Sequence, residues 1–166
     1  ERVEIGPNMT AGELHDQLMY TGADLLVKTV EAMAAGDYPL QDQVGLLAGR
    51  EPKHAPKLFK EDMKVDWSLG VDAIFNHIRG LSPFPTAWTE FRNKKNGEIV
   101  SLKIFETERI VKDHGKEVGL STDNKTYLDV LVKGGVIRIK ELQLSGKKRM
   151  KTEEFLRGFH IEDYSL

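Results

Sequence analysis

The chain has 166 residues with 40% hydrophobic and 30% charged content, ordinary for a soluble globular protein and enough to bury one good core. It holds no cysteine, which excludes a disulfide framework, a thiolate nucleophile and a cysteine metal site, and fits a reducing cytoplasm. No apolar run approaches the roughly 18 residues of a membrane span and no signal-peptide layout opens the chain, so neither a membrane nor export is expected.

The net charge of −2 hides an asymmetry: residues 1–49 carry eight Asp/Glu against two Lys/Arg, and residues 50–166 carry eighteen against twenty-two. The later part is the one suited to a polyanion. The chain opens at Glu1 without an initiator methionine and at once reads as a strand, Arg2-Val3-Glu4-Ile5, which we take as a piece of something longer. Thr10-Ala11-Gly12-Glu13 is a capping box that predicts a helix over 10–35. Leu14, Leu18, Leu25, Leu26, Val30 and Met33 follow at near-helical spacing until Gly36 and Pro39 stop it. Pro52 and Pro56 interrupt the next stretch, where Arg50, Lys53, Lys57, Lys60 and Lys64 make a basic linker. Ser68 is expected to cap a second helix with apolar positions Val71, Ile74, Phe75 and Ile78, closed by Arg79 and Gly80. Leu81-Ser82-Pro83-Phe84-Pro85 cannot continue it.

From residue 86 the period becomes two, and turn signals at Asn96-Gly97 and Asp123-Asn124 divide it into strands at 86–92, 98–111, 115–121, 127–133 and 136–145. Gly134-Gly135 reads as a two-residue hairpin turn that sets Val132 against Ile137 and Val130 against Ile139. Strict alternation then turns Glu141 inward, so a β-bulge near Lys140 is predicted to bring Leu142 and Leu144 onto the face of Leu128, Val130 and Val132. The reading is α+β: a small OB-like antiparallel barrel with flanking helices, an open antiparallel sheet being the alternative. Thr152 is expected to cap a last short helix carrying Phe155 and Leu156, with Gly158 at its end.

Catalytic motifs are absent: there is no GxSxG, P-loop, GxGxxG or HExxH, and the five histidines are scattered. Asp66 before Trp67 and Ser68 reads as a helix-start residue rather than a buried catalytic carboxylate, and Glu153-Glu154 as acids suited to a first helical turn. What remains is basic charge. Lys147, Lys148 and Arg149 lie in a loop held between a strand and a helix, and together with the linker they offer a positive surface to a phosphate backbone.

Two blocks go further. APKLFKEDMKVDWSLGVDAIFNHIRGLSPFPTAWTEF, residues 55–91, carries K-x-x-K-E-D-x-x-x-D-W-S and R-G-L-x-P-x-P-x-x-W, and GKKRMKTEEFLRG spans 146–158. Both resemble the linker, C-terminal-domain start and closing segment of bacterial methionyl-tRNA formyltransferases, and the order of the intervening elements is similar over the whole chain. The resemblance implies transfer of a formyl group from 10-formyltetrahydrofolate to the amino group of methionyl initiator tRNA in the cytoplasm. It implies three parts: 1–49 as the helical end of a Rossmann-like α/β catalytic domain, 50–66 as a basic linker, and 67–166 as an OB-like tRNA-binding domain. The implied tRNA contacts are Lys53, Lys57, Lys60 and Lys64 on the linker and Lys147, Lys148 and Arg149 on the loop. The family's Asn, His and Asp set has no matching positions here, so no catalytic, cofactor-binding or metal residue is assigned, and the chain is expected to act as a monomer. Two alternatives stay open: a related folate-dependent formyltransferase or hydrolase with a non-tRNA substrate, and a free-standing OB-type module. With labelled 10-formyltetrahydrofolate and charged initiator tRNA, this chain alone is expected to give no turnover above a no-protein control; clear turnover refutes that expectation.

Overall fold

The computed structural model describes residues 1–166, and in it the capping box forms: Thr10 Oγ1 accepts the Glu13 N–H at 3.2 Å, while the Thr10 N–H donates to the Glu13 carboxylate at 2.7 Å. These bonds hold the Glu13 carboxyl below the usual carboxylate range. They open α1 (Ala11–Ala35), which ends on left-handed Gly36. The helix buries none of its residues, and Leu18 and Leu25 of its apolar stripe stay 50% and 40% exposed. Its first turn makes the attachment instead. The Gly12 N–H donates to the Ser82 carbonyl at 3.0 Å, and a Cβ at position 12 would lie 2.4 Å from Pro83 Cδ, so only glycine permits this approach. Arg79 adds a bond to the Met9 carbonyl at 2.7 Å. The strand expected at Arg2–Ile5 does not form; no other strand lies beside it to pair with, and the segment runs without regular structure.

A short helix the sequence reading did not anticipate, α2 (Gln43–Leu47), is capped by Asp42, whose carboxylate accepts the Gly45 N–H at 2.8 Å. Residues 50–59 have no regular structure, and one turn of 3-10 helix at Glu61–Met63 follows. Val65 and Trp67 are already buried in the core. The next helix, α3 (Val71–Leu81), is capped at Gly70 rather than at Ser68, because the Val71 N–H is taken by the Lys133 carbonyl at 2.9 Å. Ser68 bonds back to Asp66 instead. Helix α3 also runs through Gly80 to Leu81, since Leu81 is one more apolar residue on the stripe of Val71, Ile74, Phe75 and Ile78, all five being buried.

The strands are β1 (Ala87–Asn93), β2 (Ile99–Val111), β3 (Gly119–Thr122), β4 (Leu128–Val132) and β5 (Gly135–Leu144), with two-residue β6 (Met150–Lys151) and β7 (Tyr164–Ser165) added, and α4 (Thr152–Leu156) follows β6. They form one antiparallel sheet in the order β3-β4-β5-β2-β1-β7, with β6 on β5. The sheet curls around α3 into a nearly closed barrel, left open between β3 and β7. Strand β3 starts later than expected because His114 pins the preceding loop: its Nδ1 accepts the Lys116 N–H at 3.0 Å, leaving Nε2 as donor to the carbonyls of Val132 and Gly135. Thr152 is the first residue of α4 rather than its cap; its hydroxyl donates to the Ile139 carbonyl at 2.5 Å and is buried there.

The β4–β5 hairpin turns at Lys133-Gly134, one residue earlier than expected, so Val132 pairs with Gly135 and Val130 with Ile137. Gly135 joins the strand, paired with Val132 and Val111, and only glycine fits there, since a Cβ would meet the Ile110 carbonyl oxygen at 2.3 Å. Each partner moves by two residues, which preserves facing. Leu128, Val130, Val132, Ile137 and Ile139 therefore all reach the core, as the alternation implies.

The bulge forms where it was expected, and β2 answers it. Ile104 pairs with Leu142, Glu106 with Glu141 and Thr107 with Ile139, so Phe105 and Lys140 are each an unpaired extra residue. Leu142 joins the core fully buried, and Leu144 packs on it partly buried. Val130 is also fully buried. Replacing it with Ala leaves a cavity that costs about 1–3 kcal/mol, read by denaturant unfolding; a loss below about 0.5 kcal/mol refutes this core register.

Candidate nucleic-acid interface

In β1, Ala87, Thr89 and Phe91 point into the core, so Trp88 and Glu90 face outward. In β2, Leu102 and Ile104 point in, which turns Lys103 out. The register sets Trp88 beside Lys103 and Lys103 beside Gln143 of β5. These three side chains form a row across the barrel's outer face about 10 Å long, from the usual spacing of neighbouring strands.

Both basic runs end on this row. At the β1 side, the Lys60 and Lys64 ammonium groups stand 5.2 and 4.9 Å from the Trp88 ring centroid, and the indole N–H donates to the Lys60 carbonyl at 2.8 Å. Lys64 also reaches Glu90 at 2.6 Å. At the β5 side, Gln143 donates to the Lys147 carbonyl at 2.8 Å, and the Lys147 N–H donates to the Leu144 carbonyl at 2.9 Å, which folds the loop over the end of the strand. Lys148 pairs with Glu154 of α4 at 3.2 Å. Arg149 stacks 4.2 Å from the Phe105 ring centroid and pairs with Glu141. Lys57 lies 5.5 Å from the Phe59 ring, and Lys53 stands exposed in the extended segment.

Of the seven cations named from the sequence, five are therefore held against the barrel or its adjoining loop: Lys60, Lys64, Lys147, Lys148 and Arg149. Lys53 and Lys57 remain on the segment leading to it. Sequence reasoning missed Trp88, Lys103 and Gln143. Alternation in β1 and β2 marks the first two as outward, but only the strand register makes them neighbours.

Asp66 is exposed, and bonds from the Ser68 hydroxyl and N–H hold its carboxyl below the usual range, the marks of a turn residue. A cleft of about 1220 Å³ lies between the first turn of α1, the end of α3 and β2. Its three arginines are all engaged: Arg79 by the Met9 carbonyl, Arg109 by Asp72 and Arg149 by Glu141.

The molecule is thus a small α+β barrel with a cationic outer face. Residues 57–160 match the family model described as formyl transferase, C-terminal domain, and the chain belongs to that family. Curated relatives named methionyl-tRNA formyltransferase include that of Phocaeicola vulgatus, 44% identical over 164 residues, covering 98% of this chain and 50% of the relative. The one from Azobacteroides pseudotrichonymphae is 44% identical over 161 residues, covering 95% and 49%. The chain spans about half the length of the curated relatives it matches. Among solved structures, a variant of HypX from Aquifex aeolicus aligns with a TM-score of 0.63 at 15% identity, over 96% of this chain and 28% of HypX. HypX in complex with tetrahydrofolic acid aligns with a TM-score of 0.52 at 16% identity, over 86% of this chain and 26% of HypX. That likeness is one of fold.

Trp88 fastens the segment around Lys60 and Lys64 to the barrel, through one hydrogen bond and two cation–π contacts. In Trp88→Leu, trypsin is expected to cut after Lys60 and Lys64 about tenfold faster, because losing about 1–2 kcal/mol of local contact raises the open population by that factor. An unchanged cleavage rate refutes the assignment.

Proposed function

We propose that this chain is the tRNA-binding portion of a methionyl-tRNA formyltransferase. The observation that carries the reading is the Trp88–Lys103–Gln143 row, which joins the linker cations to the loop cations on one face. The names of the curated relatives supply the substrate class. A face of lysines suits an RNA backbone, where phosphates supply affinity and little sequence is read. Lys53, Lys57, Lys60 and Lys64 approach one part of the tRNA, and Lys147, Lys148 and Arg149 another, with Lys103 between them. The whole enzyme acts as a monomer in the cytoplasm on methionyl initiator tRNA, during translation initiation.

The formyl donor in this reading is of folate type, 10-formyltetrahydrofolate. The residues present do not fit it. The cleft beside α1 offers no unengaged arginine to a folate carboxylate, and Glu106 and Glu108 line it with negative charge. The donor and the chemical step therefore belong to residues outside this chain, and tRNA capture belongs to these.

Titrating initiator and elongator tRNA with the wild-type chain and with Lys147→Ala/Lys148→Ala at several salt concentrations tests the reading. The wild type binds both tRNAs weakly and about equally, and the variant binds less tightly, with a salt slope shallower by roughly one unit or less per lysine. A variant with unchanged affinity and slope means that the loop is a solvated turn.

A further inference from the structure

The cations of this face fall into two groups. Lys53, Lys57, Lys60, Lys103 and Lys147 have no carboxylate partner, whereas Lys64, Lys148 and Arg149 are each paired, with Glu90, Glu154 and Glu141 respectively. The three acids are fixed by the fold rather than carried on free segments. Glu90 projects from the middle of β1, Glu141 sits at the β5 bulge, and Glu154 lies in the first turn of α4. A surface selected only to attract phosphate has no use for three fixed carboxylates among its cations.

Resting on the reading of this face as a tRNA interface, we infer that Glu90, Glu141 and Glu154 are competitors for phosphate, and that they set the specificity of the surface. The Lys64–Glu90 and Lys148–Glu154 pairs are exposed enough to be displaced by an arriving phosphate; the Arg149–Glu141 pair, with its carboxylate mostly buried and its guanidinium stacked on Phe105, yields less readily. The carboxylate left behind then repels that phosphate, and it draws a cation from solution that cancels the counterion released by the nucleic acid. Each paired cation therefore adds less affinity and less salt dependence than a free one. The penalty falls unequally. A partner whose phosphates lie over the free lysines and clear of the acids escapes most of it, whereas a flexible, densely charged polyanion meets all three acids. Repulsion of the wrong partner supplies discrimination that attraction alone does not.

The test titrates the full 166-residue chain with tRNA and with heparin at several salt concentrations. The variants are Glu90→Gln, Glu141→Gln and Glu154→Gln, singly and combined, so that a combined variant that fails to fold does not remove the readout. The control, Glu117→Gln, changes the net charge equally on the exposed loop before β3, at the other end of β2 and β5. Heparin affinity is expected to rise about two- to fivefold per interface carboxylate removed, with the salt slope steepening by up to about one unit each. Affinity for tRNA rises less, so the preference for tRNA narrows, and the control moves neither. Unchanged or weakened heparin binding overturns the inference, because the acids then hold the cations in place rather than compete for them. An equal gain in the control also overturns it, since net charge is then the cause. A wild type that binds heparin but not tRNA refutes the tRNA reading alone, and the heparin gains or their absence still decide the role of the carboxylates.

Discussion

The pairing of β2 with β5 carries one extra residue in each strand, Phe105 and Lys140, and the rest of the barrel depends on that paired irregularity. Strict alternation from Ile139 brings Glu141 into the core and drives Leu142 out. The extra residue reverses this, so Ile139 and Leu142 are both buried, and the compensating residue in β2 lets Ile104 and Thr107 stay in register with them. A bulge also sharpens local twist and bend, which an antiparallel sheet needs in order to wrap a helix. The apolar stripe of α3 occupies the resulting interior.

The same irregularity arranges the outer face. With the bulge at Lys140, Glu141 pairs with Lys151 of β6 and meets Arg149, and Phe105 offers its ring to that guanidinium. Upstream of the bulge the ladder is regular, and it aligns Trp88, Lys103 and Gln143. Core and surface are therefore two consequences of one register. Flexible lysines gain fixed positions here at little desolvation cost, since their heads rest on aromatic faces or beside exposed carboxylates and remain in water.

Helix α1 stands apart from this logic. It is joined through the close approach of Gly12 to Pro83, the Ser82 carbonyl and the Arg79 latch, while its long apolar side stays exposed. Three short contacts at one end fix its position without any shared core.

Much of this was legible in the sequence because the signals are local. The capping box of α1, the i, i+3, i+4, i+7 stripe of α3 and the period-two strands all follow from backbone geometry within a few residues. Even the bulge was legible, from a single conflict between alternation and the polarity of Glu141. The two basic runs were equally plain, and they named most of the cations on the face. Tertiary structure decided what rests on contacts distant in sequence. Lys133 captures the Val71 N–H and sets the cap of α3 at Gly70, and the Ile110 carbonyl leaves room only for glycine at 135, where the β4–β5 pairing begins. The Ile139 carbonyl draws Thr152 out of its expected capping role. The join between the two basic runs belongs to the same class. It passes through Trp88, Lys103 and Gln143, three residues unremarkable in their own segments, which become neighbours only once β1, β2 and β5 lie side by side, because a ladder register is a property of paired strands and of no single one.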